Sequence, residues 1–242
     1  MHREYHNWWS PNLGRNMELL IFGHAGAKVL VFPTRGARFY EYENLRIVDS
    51  IADKIKAGHM QLYCVDSIDT ESMYCYWAHP HGRINRHKQY EEYILQEVMP
   101  LMAMKNDHPC TISHGCSLGA YHAANIFFRH PHLFAKLAAF SGRYDLTWGI
   151  ESFGDLFDGF YCEDIYYHTP THFLQNLNCP DRLRNIANSD IVFTIGKEDP
   201  FLQNNHLISE ILNQKGIGHQ MHEWDGRAHR GRYWRQMAPL YL

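Results

Sequence analysis

The chain has 242 residues, 45% hydrophobic and 20% charged, which is enough to bury a sizeable core within one domain. Its formal net charge of −3 provides no basic field, so no nucleic-acid partner is expected. No run approaches the ~20 apolar residues of a membrane span, and the polar start Met1-His2-Arg3-Glu4-Tyr5 lacks the apolar core of a secretory signal.

In chain order, residues 17–22 and 28–32 are apolar runs joined by the turn His24-Ala25-Gly26, and they predict two strands. Residues 42–56 carry Leu45, Val48, Ile51, Ala52 and Ile55 at helical spacing. A strand is expected over 61–65, and a helix over 91–104 with Ile94, Val98 and Leu101 on one face. A loop over 74–87 lies between them, rich in aromatics and holding His79, His81 and His87. That histidine spacing fits no tight metal site, and neither a metal nor another cofactor is expected. Next come a short strand at Cys110-Thr111-Ile112, a helix over 118–129 and a strand over 136–140. The chain closes with a strand over 191–196, a helix over 203–215 and a strand over 219–224. This alternation predicts an α/β fold with a mostly parallel central sheet and helices on both faces. No repeat or linker divides the chain, so residues 1–242 are expected to form one domain.

Residues 141–188 interrupt the alternation with a long aromatic stretch that includes Tyr144, Trp148, Phe153, Phe157, Phe160 and Tyr161. Segments of this length in a compact domain either cap a functional site or carry small elements of their own. Both readings stand for an insertion over 142–188: a lid over the site, or a helical excursion at the sheet edge. The six cysteines, Cys64, Cys75, Cys110, Cys116, Cys162 and Cys179, show no C-x-x-C spacing. Free thiols in a reducing cytoplasm are the expected state.

The most informative segment is Gly115-Cys116-Ser117-Leu118-Gly119. A G-x-S-x-G between a strand and a helix is a nucleophile elbow: the turn strains the serine backbone and leaves no room for side chains two residues to either side. Ser117 Oγ would then stand clear at the carboxyl end of the sheet. Cys116 is the neighbouring nucleophile type, but the glycine spacing centres on Ser117. An elbow enzyme places an acid and then a histidine later in the chain. Lys197-Glu198-Asp199-Pro200 follows the strand ending at Gly196, and Asp225-Gly226-Arg227-Ala228-His229-Arg230-Gly231 follows the strand ending at Trp224. Asp199 is the preferred acid, with Glu198 its neighbouring rival. Of 18 histidines, His229 is selected by its loop, whereas His219 and His222 fall in or beside the strand.

The chain resembles the putative-esterase family of the α/β-hydrolases, the branch that holds esterase D, feruloyl esterase and mycolyltransferase-type enzymes, and within it small bacterial esterases. The matching segments span almost the whole chain. They include Phe32-Pro33-Thr34 with Arg38-Phe39-Tyr40-Glu41, Cys64-Val65-Asp66-Ser67, Gly119-Ala120-Tyr121-His122-Ala123, Ser141-Gly142 with Tyr144-Asp145, Asp158-Gly159-Phe160-Tyr161, and Trp224-Asp225-Gly226 with Ala228-His229. The resemblance implies an α/β-hydrolase fold and a triad of Ser117, Asp199 and His229. The chain departs from the family at Arg230 and Gly231, where an acidic residue and a tryptophan usually follow the histidine. It departs again at Arg35, where a small residue usually follows Phe-Pro-Thr.

The chemistry of these residues predicts a serine esterase that acts on small carboxylic esters through an acyl-enzyme on Ser117. The oxyanion hole needs two donors: the N–H of Leu118 and an N–H from the loop after residue 32, Arg35 first and Thr34 second. A small-molecule ester is the expected partner, and an oligomer is compatible with the sequence. Two alternatives remain open, an acyltransferase or thioesterase on the same scaffold and a non-catalytic binding protein.

Overall fold

The computed structural model describes residues 1–150 and 152–242. Its strands are β1 (Arg3–Ser10), β2 (Arg15–Phe22), β3 (Ala27–Phe32), β4 (Met60–Val65), β5 (Thr111–Cys116), β6 (Lys136–Phe140), β7 (Asp190–Gly196) and β8 (Gln220–Trp224). They form one 8-stranded sheet in the order β1-β2-β4-β3-β5-β6-β7-β8. The strands from β3 to β8 are mutually parallel, and β2 pairs antiparallel with both β1 and β4. The helices are α1 (Glu41–Asn44), α2 (Ile47–Ser50), α3 (Ala52–Lys56), α4 (Pro80–Tyr93), α5 (Met99–Lys105), α6 (Leu118–Arg129), α7 (Glu163–Tyr167), α8 (Pro170–Phe173), α9 (Pro180–Ala187), α10 (Leu202–Gln214) and α11 (Gly231–Tyr241).

Successive strand side chains point to opposite faces, so each central strand feeds two cores. Leu19, Ile21, Leu30, Phe32, Tyr63 and Val65 pack on one face with residues of α4, α5, α6, α9 and α10. Leu20, Phe22, Val29, Val31, Leu62 and Cys64 pack on the other with residues of α1, α2, α3 and α11. Strands buried on both sides carry near-continuous apolar runs, and 61–65 and 191–196 read that way in the sequence. Because β3 and β5 to β8 are parallel, the loops that follow them all emerge at one end of the sheet, where α/β folds gather their functional groups.

Several elements differ from expectation. β2 and β3 follow one another in sequence but are not neighbours, because β4 inserts between them. The helix expected over 42–56 is three short pieces: Arg46 takes a left-handed conformation (φ 58°), which ends the first turn. The helix expected to begin at residue 91 begins at Pro80, within the segment read as loop. The turn widens to a π-helix over Ile94–Val98, just before Pro100, whose missing N–H cannot close an ordinary turn. β1 and α11 were not expected. β1 is an edge strand in which Tyr5 and Trp9 face outward, and it is tied to the body by Glu97, which accepts from Trp8 Nε1 and Ser10 Oγ, both at 2.7 Å. The 142–188 stretch carries α7, α8 and α9, and its Leu146, Leu156, Phe157 and Ile165 form a third core with Met73, Ile84, Leu118 and Tyr121.

Candidate active site

The loop between β5 and α6 is a sharp turn in which Ser117 adopts φ 56° and ψ −120°, a strained conformation for a residue with a side chain. Its flanking glycines are sterically required. A Cβ on Gly115 would lie 2.2 Å from the Gly119 carbonyl oxygen, and one on Gly119 would lie 2.3 Å from that of Phe32 at the end of β3. The turn is pinned where the Ser117 N–H donates to the Phe140 carbonyl at 2.8 Å.

The structure brings the three residues singled out in the sequence into one line of hydrogen bonds. Ser117 Oγ lies 2.8 Å from His229 Nε2, and His229 Nδ1 lies 2.6 Å from Asp199 Oδ2. Since Nδ1 faces a carboxylate it carries the proton, which leaves Nε2 free to accept one from the serine. The Asp199 side chain has no solvent exposure, and its other oxygen accepts from the Phe201 N–H at 2.9 Å. Glu198 is exposed, and its side chain makes no such contact with His229. The loop bearing His229 reaches in close to β7 because residue 196 is glycine: a Cβ there would sit 2.1 Å from the Arg227 carbonyl oxygen.

Two supporting residues were missed by sequence reasoning. Ser141, at the end of β6 and in a left-handed conformation (φ 54°), donates from Oγ to the Ala228 carbonyl at 3.1 Å. It accepts there from Trp234 Nε1 at 3.1 Å, and Trp234 in turn lies against the His229 ring with centroids 5.7 Å apart. These contacts hold the loop immediately before His229, and no local motif in the sequence signals them.

Cys116 points away from the site. It is fully buried, its Sγ lies 3.1 Å from Tyr42 Oη, and the Tyr42 hydroxyl lies 2.8 Å from His114 Nε2. Burial pushes the Cys116 thiol well above its ordinary range, so it is not an ionised nucleophile.

Ser117 and His229 open into a cavity of about 300 Å³. Leu118, Leu146, Phe153, Phe201 and Trp234 supply apolar walls, and Thr34, Arg35, Tyr74 and Arg143 supply polar ones. Leu118 begins α6, so its N–H has no intrahelical carbonyl to bond. In the loop after β3, the Thr34 N–H is taken by Glu41 at 2.8 Å and the Gly36 N–H by Asp69 at 2.5 Å. The Arg35 N–H between them has no partner among the described residues.

Of the histidines considered for a metal, only His87 joins a cluster of suitable donors among the described residues. His87, Glu91 and His168 bring one donor atom each within 4.8 Å of one another. His87 and Glu91 are one helical turn apart on α4, a relation hidden while that segment was read as a loop. Glu91 is already engaged by Arg129 at 3.0 Å and His130 at 2.9 Å, and a divalent ion on its carboxylate would face the Arg129 guanidinium. The donor set therefore fits a neutralised internal ion pair better than a metal.

A mixed sheet of this order, with a strained serine between strand and helix and an aspartate and a histidine in line with it on later loops, defines an α/β-hydrolase. Residues 20–238 match the family model described as "Putative esterase", and the chain belongs to that family. Solved structures agree on the fold. A ferulic acid esterase superposes with a TM-score of 0.75 at 16% identity, over 99% of this chain and 95% of that one. An S-formylglutathione hydrolase from Agrobacterium tumefaciens gives 0.71 at 14% identity, over 98% and 91%. MPT51 from Mycobacterium tuberculosis gives 0.67 at 15% identity, over 98% and 96%. No curated protein matches by sequence. Ester hydrolysis is the activity of the family, and no helix among the described residues is long and apolar enough to cross a membrane.

Proposed function

We propose that the protein is a serine esterase in which Ser117 is the nucleophile, His229 the general base and acid, and Asp199 the residue that orients His229. The observation that carries this reading is the continuous line of hydrogen bonds from Ser117 Oγ through His229 to the buried Asp199, opening into a cavity sized for a small ester. Ser117 Oγ attacks the ester carbonyl while His229 Nε2 takes its proton. Asp199 stabilises the imidazolium that forms, and the alcohol leaves with the proton returned by His229. Water, activated by the same histidine, then releases the acid and restores Ser117. The N–H groups of Leu118 and Arg35 receive the oxyanion. What supports Arg35 over Thr34 is that the Thr34 N–H is already bonded to Glu41.

The chain acts as one domain, and the 142–188 insertion both caps the site and packs its own core. Leu146 serves each role, lining the cavity and joining the third cluster. All six cysteines are free, which suits a cytoplasmic setting. A serine-reactive fluorophosphonate probe tests the reading directly. Labelling is expected on the tryptic peptide that contains Ser117 and is expected to vanish in Ser117→Ala. An unlabelled wild-type protein would point to a binding module instead. Acyl transfer is separated from hydrolysis by the ratio of transfer product to free acid when an alcohol acceptor is added.

A further inference from the structure

The wall of the cavity holds a cation that the reaction steps do not use. Arg143 follows β6 and is 7% exposed, yet no carboxylate among the described residues lies within ion-pair distance of it. Its Nε donates to the Asp145 carbonyl at 2.9 Å, and its Nη2 donates to the carbonyls of Leu146, Trp148 and Gly154 at 2.8 to 3.0 Å. Nη1 has no partner among the described residues, and Arg143 lines the cavity beside Ser117. The nearby carboxylates among the described residues are occupied: Asp145 binds Thr147, Trp148 and His172, and Asp155 binds the N–H groups of Phe157 and Gly159. Burial lowers the Arg143 pKa, and it outweighs the opposing pull of Tyr74, Asp145 and Asp155, none of which forms an ion pair with it. A second cation stands near it. The Arg35 guanidinium lies over the Tyr74 ring, 5.3 Å from its centroid, at the exposed mouth of the same cavity. Among the described residues neither arginine has an ion-pair partner, and both border the space a substrate enters.

We propose that Arg143 and Arg35 form an anion subsite, and that the preferred substrates are esters carrying a carboxylate a few bonds from the reacting carbonyl. This rests on Ser117 being the esterase nucleophile. A guanidinium already fixed by carbonyls on Nε and Nη2 presents Nη1 without further loss of rotamer freedom, so a carboxylate meets a preorganised, partly desolvated donor. Four carbonyl contacts alone would make Arg143 a loop pin. A buried guanidinium beside the nucleophile, backed by the Phe201 ring at 5.5 Å and without an ion-pair partner among the described residues, is what a pin does not require.

The anion can sit on the acid or the alcohol side of the ester, and three substrates separate the two: phenyl acetate, phenyl hemisuccinate and 4-carboxyphenyl acetate. One anionic ester is expected to exceed phenyl acetate in kcat/KM by about tenfold or more. Arg143→Gln and Arg35→Gln are each expected to lower that ratio more than they lower phenyl acetate turnover. A structural role alone would lower all three substrates together. Succinate is expected to inhibit phenyl acetate hydrolysis competitively at concentrations where succinamide does not, a measurement on the wild-type enzyme that does not depend on any variant folding. Equal kcat/KM for all three esters with no succinate inhibition would overturn the proposal, as would a preference retained in both variants. Phenyl acetate turnover and fluorophosphonate labelling report the esterase reading separately, so loss of the subsite is distinguishable from loss of the nucleophile.

Discussion

At the scale of single residues, the site makes sharply different demands on neighbouring side chains. Ser117→Ala is expected to fold normally and lose several orders of magnitude in kcat toward a short aryl ester, down to the rate that binding and the oxyanion donors sustain. A variant that keeps more than about a tenth of wild-type activity would remove Ser117 from its role. Asp199 and Glu198 are adjacent, but only Asp199 is buried against His229 Nδ1. Asp199→Asn presents an amide that favours the wrong histidine tautomer, so kcat falls steeply, whereas Glu198→Gln changes an exposed group and costs little. Equal losses at the two positions would contradict the assignment. The oxyanion donor proposed at Arg35 is a backbone group, which a proline can remove. Arg35 follows the first residue of a turn closed by the Ala37 N–H on the Thr34 carbonyl, the position where proline is most readily accepted. Arg35→Pro is therefore expected to fold and to lose about 2.7–4 kcal/mol of barrier lowering on a neutral ester, the usual cost of one oxyanion donor. Arg35→Ala keeps the N–H and should lose far less. Similar kcat values for the two variants would move the donor elsewhere.

At the scale of elements, what the sequence reveals depends on whether the cause is local. The elbow was legible because Gly115 and Gly119 are excluded from carrying side chains by contacts that any such turn makes. The parallel strands were legible because burial on both faces leaves continuous apolar runs. α4 was hidden because its buried positions include Arg83, His87 and Glu91, so it carries no apolar stripe to count. β1 was hidden because half of it faces solvent and its anchor, Glu97, lies far along the chain. Ser141 and Arg143 gain their meaning only when β6 is set beside the loops that carry Ala228 and Phe153, a purely tertiary relation. The 142–188 insertion gives one prediction at this scale. Its Leu146 and Phe153 line the cavity, Phe153 packs against Phe201 with ring centroids 4.9 Å apart, and Leu146 is itself locked into a packed cluster. Such a wall cannot yield to each added methylene without strain, and the ~0.8 kcal/mol a methylene gains from burial is offset by poorer placement of the carbonyl. The kcat/KM for aryl esters should therefore fall from acetate toward palmitate. A steady rise with chain length would mean that the insertion opens as a lipase-like surface.

At the scale of the whole molecule, the density of buried histidine sets the response to acid. Burial holds His114, His122 and His168 each at a pKa of about 4, and holds His87 well below its ordinary range. In the unfolded chain each would take up a proton near 6.5. The folded state therefore binds fewer protons below that pH, and stability falls as pH drops from about 6.5 to 4. Each such histidine contributes a slope of up to about 1.4 kcal/mol per pH unit. Several together would exhaust an ordinary stability of ~5–15 kcal/mol within a few units. Glu91 acts in the same direction over a lower range. Burial raises its pKa, but His130, Arg129 and His168 outweigh that and bring it to about 2, so its contribution is present above the unfolded carboxylate range and is lost as pH falls toward 2. The melting temperature is thus expected to be nearly level above pH 7 and to fall steeply between pH 6.5 and 4, before the carboxylates titrate. His122 offers the cleanest check, because its ring is held by the aromatic faces of Phe32, Tyr90 and Tyr121 at centroid distances of 5.2 to 5.8 Å. His122→Phe keeps an aromatic ring there and removes one titrating group, so it should flatten the stability-versus-pH slope by up to about 1.4 kcal/mol per unit near pH 5. An unchanged slope in the variant, or a level melting temperature down to pH 4.5 in the wild type, would show that these histidines become protonated within the folded protein.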